Sequence, residues 1–366
     1  MKIIYVTIVP VPFAVEIFQH AARALNAELV LVFHDSIRKE REHWNTSYEG
    51  HYLQDDKAAD LVSFLAEQKA DMVFFSSIRN KITNTGIKWC VKNNTDYFLG
   101  PHENITPNHV KNPASYKRPD IVKAAAMTAK FHLYKKASEK AKGIVVMGHK
   151  AITNIGKFYK GPMISLPYSF DITTLLKQTK PSLEVVTFLF SGKLTWYRHP
   201  LLCIECFADL ADANPNKKMK LIVSGQGELE QDCRDLIKSR GIEDKVEWIQ
   251  GFSSWYDILR IYEQAHIALI LQDFSNWGLI TQEAMSAGMT FIGAGEVGSL
   301  DELVINNYNG FLTNLSKKNV LFYMQKYIDQ PELITIQGKR NRDIAPHISV
   351  DYLGKELASF IKSTRS

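Results

Sequence analysis

The sequence predicts an α/β protein of two Rossmann-like domains, each built on a parallel sheet, facing one another across a cleft. Three observations carry that expectation. Short apolar, β-branched runs alternate with amphipathic helical stretches along the whole chain, which is the pattern of βαβ units. The alternation stops in a polar segment at residues 172–183, closed by Pro181, and then restarts. The chain has 366 residues, about twice the usual size of one domain.

In the first half, residues 3–9 form the opening strand and residues 15–25 a helix with one apolar face. Residues 29–33 are the next strand, followed by a charged connection over residues 38–49 that contains Trp44. A helix at 60–68 and a strand at 72–75 come next. The strand at 97–99 ends in the loop Gly100-Pro101-His102-Glu103-Asn104. A long basic helix over 119–142 leads to a strand at 144–147, a helix at 151–158 and a strand at 163–166. In the second half the strands are expected at 185–190, 220–223, 246–249 and 267–271, with helices at 200–214, 229–240 and 256–265 between them. Three helices close the chain at 317–327, 332–342 and 350–362. The domains expected from this are residues 1–171 and 184–348, joined by the linker 172–183.

Composition excludes several classes. Hydrophobic content of 45% with 23% charged residues is ordinary for a globular protein with a sizeable core. No apolar run reaches the roughly 18–20 residues needed to span a bilayer, and the N-terminus is too short and strand-like for a signal peptide. Four cysteines make no disulfide framework, and Cys203 and Cys206 lie in an amphipathic helical pattern with no second pair, which assigns them to the core. A cytoplasmic location is therefore expected. The net charge of +5 is uneven: residues 1–180 carry 25 basic and 16 acidic side chains, the remainder 19 and 23. Most of the excess lies in residues 111–160, with twelve basic and two acidic residues. Solvated helix faces account for such a run; so does a surface for anionic lipid headgroups or an acidic acceptor, seated on the inner face of a membrane. Nucleic acid is not expected, because the run lacks aromatic interleaving.

The most informative stretch is residues 267–288. An apolar strand is followed by a polar loop and by a helix that begins near Gly278 and stops near Gly288. The helix N-terminus thus lies at the C-terminal end of a parallel strand, where open α/β sheets bind ligands, and its free N–H groups favour an anion. One turn in, Glu283 offers a carboxylate to a diol. A phosphate on the amides of Gly278, Leu279 and Ile280 beside a ribose on Glu283 is a natural pairing.

Gly278-Leu279, Glu283-Ala284-Met285, Ala287-Gly288, Gly298, Glu302-Leu303-Val304 and Asn309-Gly310 together resemble the donor-site segment of GT-B glycosyltransferases. The resemblance is to the large retaining group that uses nucleotide-sugar donors, often called family four. It implies the GT-B fold, with the last helix, 349–366, returning to the first domain. It also implies a retaining, metal-independent transfer of a sugar from a UDP- or GDP-linked donor to a hydroxyl of a glycan or lipid-linked saccharide, as in cell-surface polysaccharide synthesis. Gly192-Lys193-Leu194 resembles the family's Gly-Arg-Leu segment, with Arg198 in place of a Lys five residues on. Lys193 and Arg198 then stabilise the leaving diphosphate. Gln250-Gly251-Phe252 matches the strand end that holds the nucleotide base, and His102 aligns with a first-domain His near the transferred sugar. The Gly-Gly that many relatives place in the first loop is replaced by Pro10-Val11-Pro12. Relatives also carry a second Glu eight residues before the one at Glu283; here that position is Ser275, with Asp273 two residues upstream as the candidate substitute. Ser275 keeps open a second reading: a catalytically silent GT-B protein that binds nucleotide sugar or supports a partner enzyme. No H-E-x-x-H, zinc pair or clustered Asp-x-Asp points to a metal.

Overall fold

The computed structural model describes residues 1–35, 48–76, 80–102, 131–251 and 255–365. The chain divides into two compact units, Met1–Asp171 with Ile348–Ser366, and Ile172–His347.

The first unit is built on seven strands: β1 (Lys2–Thr7), β2 (Glu28–Phe33), β3 (His51–Tyr52), β4 (Met72–Phe75), β5 (Asp96–His102), β6 (Gly143–Val146) and β7 (Met163–Ser165). Their order is β3-β2-β1-β4-β5-β6-β7, every pair parallel. Helices cover both faces, so the central strands are apolar on both sides, as two-sided burial requires. In β1, Ile4 and Val6 join one core while Ile3 and Tyr5 join the other. The helices are α1 (Pro12–Leu25), α2 (Lys57–Gln68), α3 (Lys81–Lys92), α4 (residues 131–138) and α5 (His149–Ile155). The last helix of the chain, α14 (Val350–Ser363), packs its Leu353, Leu357, Phe360 and Ile361 into the core that α1 supplies with Val15 and Phe18. Burial of each such side chain contributes about 1.5–3 kcal/mol. Gly354 makes the approach close, since a Cβ there would sit 2.4 Å from His20 Cβ.

The second unit has a six-stranded sheet of order β10-β9-β8-β11-β12-β13, again all parallel. Its strands are β8 (Val186–Ser191), β9 (Met219–Ser224), β10 (Val246–Ile249), β11 (Ile267–Ser275), β12 (Thr290–Val297) and β13 (Phe311–Thr313). The helices are α6 (Thr173–Leu176), α7 (Pro200–Ala213), α8 (Glu230–Ser239), α9 (Trp255–Gln264), α10 (Leu279–Ser286), α11 (Gly298–Leu303), α12 (Lys317–Asp329) and α13 (Glu332–Ile344). Cys203 and Cys206 are core residues of α7. In each sheet the strand order reverses once, between β1 and β4 and between β8 and β11, and such switch points are where this architecture takes ligands.

Several elements were not expected from sequence. Residues 81–92 form α3 although Thr, Asn and a Gly dilute the helical signal; Asn80 caps it by accepting from Thr83 N at 2.8 Å, and Gly86 admits the ring of Phe75. β12 contains Gly293 and Gly295, which weaken a strand pattern. Both are demanded by neighbours: a Cβ on Gly293 would meet Leu300, and one on Gly295 would fall 1.6 Å from the Gln272 carbonyl oxygen. β11 continues four residues past its apolar run, through a register shift between Leu271 and Phe274, so Asp273, Phe274 and Ser275 are strand residues rather than loop. Among the described residues no helix is long and apolar enough to cross a membrane.

Candidate functional site

The site is assembled at the C-terminal ends of β8, β9 and β11. Two glycine-dependent turns lock together there. Gly192 N donates to Ser224 O at 2.9 Å, Leu194 N to Gln226 O at 2.9 Å, and Leu229 N to Leu194 O at 3.0 Å. A Cβ on Gly225 would lie 1.8 Å from Gly192 O, and one on Gly227 2.3 Å from Leu194 O. Gly225 also has φ +148, a conformation that L side chains rarely adopt. The Gln250 side chain reinforces this turn, donating from Nε2 to Gly225 O at 2.8 Å. Its amide is thus engaged with the loop, while Phe252 lies outside the described residues.

The segment after Gly192 carries the two predicted cations. Lys193 is exposed. Arg198 is half-buried and folds back over Gly192: its Nη1 is 2.4 Å from where a Cβ on that glycine would be. Arg198 Nε is buried without a hydrogen-bond partner among the described residues. An orphaned guanidinium N–H is costly, and an anion at this place would satisfy it. His199, held at φ +48, follows, and its Nε2 meets Asp273 Oδ1 at 3.0 Å. Asp273 is therefore engaged by His199 through one carboxylate oxygen. Ser275 itself is the last residue of β11 and is half-buried.

Beyond β11, Gly278 is the N-cap of α10, at φ 92 and ψ 86, with no side-chain cap. A Cβ there would be strained, and the first turn, with no side-chain cap, leaves the amides of the half-buried Leu279 and Ile280 without an intrahelical acceptor. The loop is stiffened from within. Trp277 Nε1 donates to Gln282 Oε1 at 2.6 Å, and Ser299 Oγ donates to Gly278 O at 2.9 Å while lying 2.7 Å from Thr281 Oγ1.

Glu283, one turn into α10, is deeply buried, only 4% exposed. Its Oε2 accepts from Tyr262 Oη on α9. Burial pushes its carboxyl up to about 7, and the Tyr262 hydrogen bond pulls the other way. Tyr262 is raised well above its usual range, by burial first and then by the Glu283 charge. Two cations tie down the helix ends behind this pair. Lys180 Nζ donates to Tyr262 O and, at 3.0 Å, to Ala265 O; burial lowers it to about 7, with the Arg342 charge adding to the effect. Arg342 Nη2 donates to Gln178 O and, at 3.2 Å, to Ala287 O, the cap of α10. Cations on the last carbonyls of α9 and α10 suit the negative ends of both helices.

Gly192, Arg198, Asp273, Glu283 and the start of α10 thus share one region of the second unit. His102 belongs to the first unit, as the last residue of β5, paired in register with Val146. Its neighbour Glu103 and residues 111–130 of the basic run lie outside the described residues. Sequence reasoning missed Tyr262 and His199. Each meets a carboxylate far away in the chain, and no local spacing announces such a pair. Among the described residues, no group of three or more His, Cys, Asp or Glu could hold a metal ion.

Residues 171–342 match the family model described as Glycosyl transferases group 1, and this stretch is a domain of that family. The chain is 27% identical over 122 residues to an uncharacterised glycosyltransferase of Methanocaldococcus jannaschii, covering 33% of this chain and 30% of that one. It is 25% identical over 202 residues to an uncharacterised glycosyltransferase of Haemophilus influenzae, covering 55% of each. The matched stretch thus spans from under a third to about half the length of these curated relatives. Among solved structures, Anabaena HepE in complex with UDP aligns over 99% of this chain and 100% of its own, with a TM-score of 0.74 at 16% identity. That likeness shows the fold, which is GT-B.

Proposed function

We propose that the chain is a glycosyltransferase that moves a sugar from a nucleoside diphosphate donor to a hydroxyl of a glycan or lipid-linked saccharide, with retention at the anomeric carbon and without a metal. The observation that carries this reading is the uncapped N-terminus of α10 with the buried Glu283 carboxylate one turn inside it. The names of similar proteins agree with it: HepE has been solved with UDP and with UDP-glucose.

In this reading the amides of Leu279 and Ile280 meet the diphosphate and Glu283 accepts from the ribose hydroxyls. Arg198, with its orphaned Nε, and Lys193 neutralise charge as the diphosphate leaves. The departing phosphate oxygen takes the proton of the acceptor hydroxyl, which requires no separate general base in the second unit. Gln250 shapes the turn beside the base rather than reading the base through its own amide. His102 works on the sugar or acceptor side. Exposed Lys135, Lys136, Lys140 and Lys142 continue the basic run and would draw the protein to an anionic membrane surface on the cytoplasmic side. Vesicles containing phosphatidylglycerol should bind the protein at low salt and release it at high salt; equal binding to neutral vesicles would discard that part.

The test of the whole is a thermal-shift screen of UDP, GDP and their sugars, since a ligand of the native state stabilises it by RT ln(1 + [L]/Kd). Stabilisation by one nucleotide and its sugar, followed by release of that nucleotide from the sugar donor when acceptor glycans are added, supports the enzyme. A specific observation favours a second reading: Ser275 replaces the usual carboxylate and Asp273 is held by His199. A silent binding protein would be stabilised by nucleotide sugar but release no nucleotide with any acceptor.

A further inference from the structure

Glu283 and Tyr262 sit on different helices of the second unit, α10 and α9, and both side chains are almost wholly buried. Tyr262 Oη donates to Glu283 Oε2, the hydrogen bond this carboxylate makes among the described residues. A buried carboxylate is expensive to keep charged. No cation compensates it. The charged groups on the elements packed around α10 are Lys177 and Lys180 beyond α6, Asp257, Arg260 and Glu263 on α9, Asp273 on β11, Glu296 on β12, Asp301 and Glu302 on α11, and Glu332, Lys339, Arg340, Arg342 and Asp343 on α13. Lys180 and Arg342 direct their donors to backbone carbonyls, and Asp273 meets His199. Burial and the Tyr262 hydroxyl are left as the two influences on the Glu283 carboxyl, acting in opposite directions. The tyrosine is itself held, with Lys180 on its carbonyl and Ser191, the last residue of β8, beside its hydroxyl.

We propose that Tyr262 is a positioning residue for nucleotide binding: its hydroxyl holds Glu283 Oε2 and leaves Oε1 to accept from the vicinal hydroxyls of a bound ribose. The inference rests on the donor-site reading above and deepens it. The same bond opposes the burial that raises the carboxyl, favouring the ionised form, and an ionised carboxylate is the form that accepts two hydroxyl donors. Nucleotide affinity therefore rises with pH through the neutral range, and Tyr262 sets where that rise occurs.

Tyr262→Phe removes one oxygen and keeps the ring. UDP and GDP are titrated calorimetrically into full-length wild type, Tyr262→Phe and Glu283→Gln from about pH 6 to about pH 9. Wild type is expected to bind more tightly as pH rises. The Phe variant should lose about tenfold at neutral pH, as for a lost hydrogen bond to a charged group, with the loss shrinking toward the alkaline end. Glu283→Gln should bind weakly at every pH. A loss in Tyr262→Phe that is the same at every pH, or no loss, overturns the positioning role while leaving the donor site intact. If Glu283→Gln binds like wild type, or wild type binds neither nucleotide, the donor-site reading falls and this inference with it. A second measurement needs no ligand: carbon-13 carboxyl titration of wild type and Tyr262→Phe, with Glu283→Gln assigning the signal. A Glu283 midpoint that rises in the Phe variant supports the proposal, and an unchanged one overturns it.

Discussion

The two units share a parallel-sheet plan and differ at the loop that follows the first strand of each. In the first unit β1 leads through Pro10, Val11 and Pro12 directly into α1, with Val11 as an N-cap that offers no side chain and Pro12 removing an N–H from the first turn. All three residues are buried. In the second unit β8 leads into Gly192, against which Arg198 folds and Gly225 packs. The first loop is stiff, apolar and poor in donors; the second is open at the backbone and rich in them. A diphosphate needs amides and cations, and of the two loops only the second offers them, which is why the proposed donor site is assigned to the second unit.

That contrast can be broken, and the largest effect should come from the cations. Lys193→Ala with Arg198→Ala is expected to lower turnover by about 10²–10³, as for loss of donors to developing charge, with a smaller change in nucleotide affinity. Wild-type turnover in steady-state kinetics would reject the assignment. Gly225→Ala should cost about 2–3 kcal/mol in chemical denaturation, because the new Cβ meets the Gly192 carbonyl at a φ of +148. Pro12→Ala, its counterpart in the first unit, should leave nucleotide affinity unchanged; a loss of affinity there would erase the contrast.

Glu283→Ala should weaken nucleotide binding by about ten- to a hundredfold, corresponding to roughly 1.5–3 kcal/mol. Stability without ligand should move the other way. The Glu283 carboxyl is raised from 4.5 to about 7 in the fold, so the native state holds a proton that the unfolded chain has lost across that window. Its contribution to stability is complete below about pH 4.5 and lost as pH rises to about 7. Glu283→Gln should therefore be more stable than wild type at about pH 8 in chemical denaturation, by an amount on the order of 3 kcal/mol, and show no such gain in acid. Asp273→Asn should have the smallest effect, under about 1 kcal/mol for a half-exposed pair with His199. A change in sugar selectivity in that variant would restore Asp273 as a donor contact.

Much of the fold was legible locally. The strands at 72–75 and 246–249 and the three closing helices lie where apolar periodicity puts them, because each period is a property of its own segment. α3 and β12 were not legible, since their glycines look like breakers until Phe75, Leu300 and the Gln272 carbonyl are known to press on them. β11 was cut short at Leu271 for a related reason. Its polar end is strand because β12 pairs with it beyond the bulge.

The sequence by itself determined the α/β class, the restart into a second βα series, the glycines at the turns after β8 and β9, and Glu283 one turn into a helix at a strand's C-terminal end. These depend on periods of two and 3.6 and on residues whose backbone preferences act locally. Only the tertiary structure decided what the polar side chains meet. It engaged Asp273 with His199, folded Arg198 over Gly192, and buried Glu283 against Tyr262 instead of leaving it open at the surface. Such partners are 74, six and 21 residues apart along the chain. Strand order and helix packing bring them together, and no repeat in the sequence encodes that order.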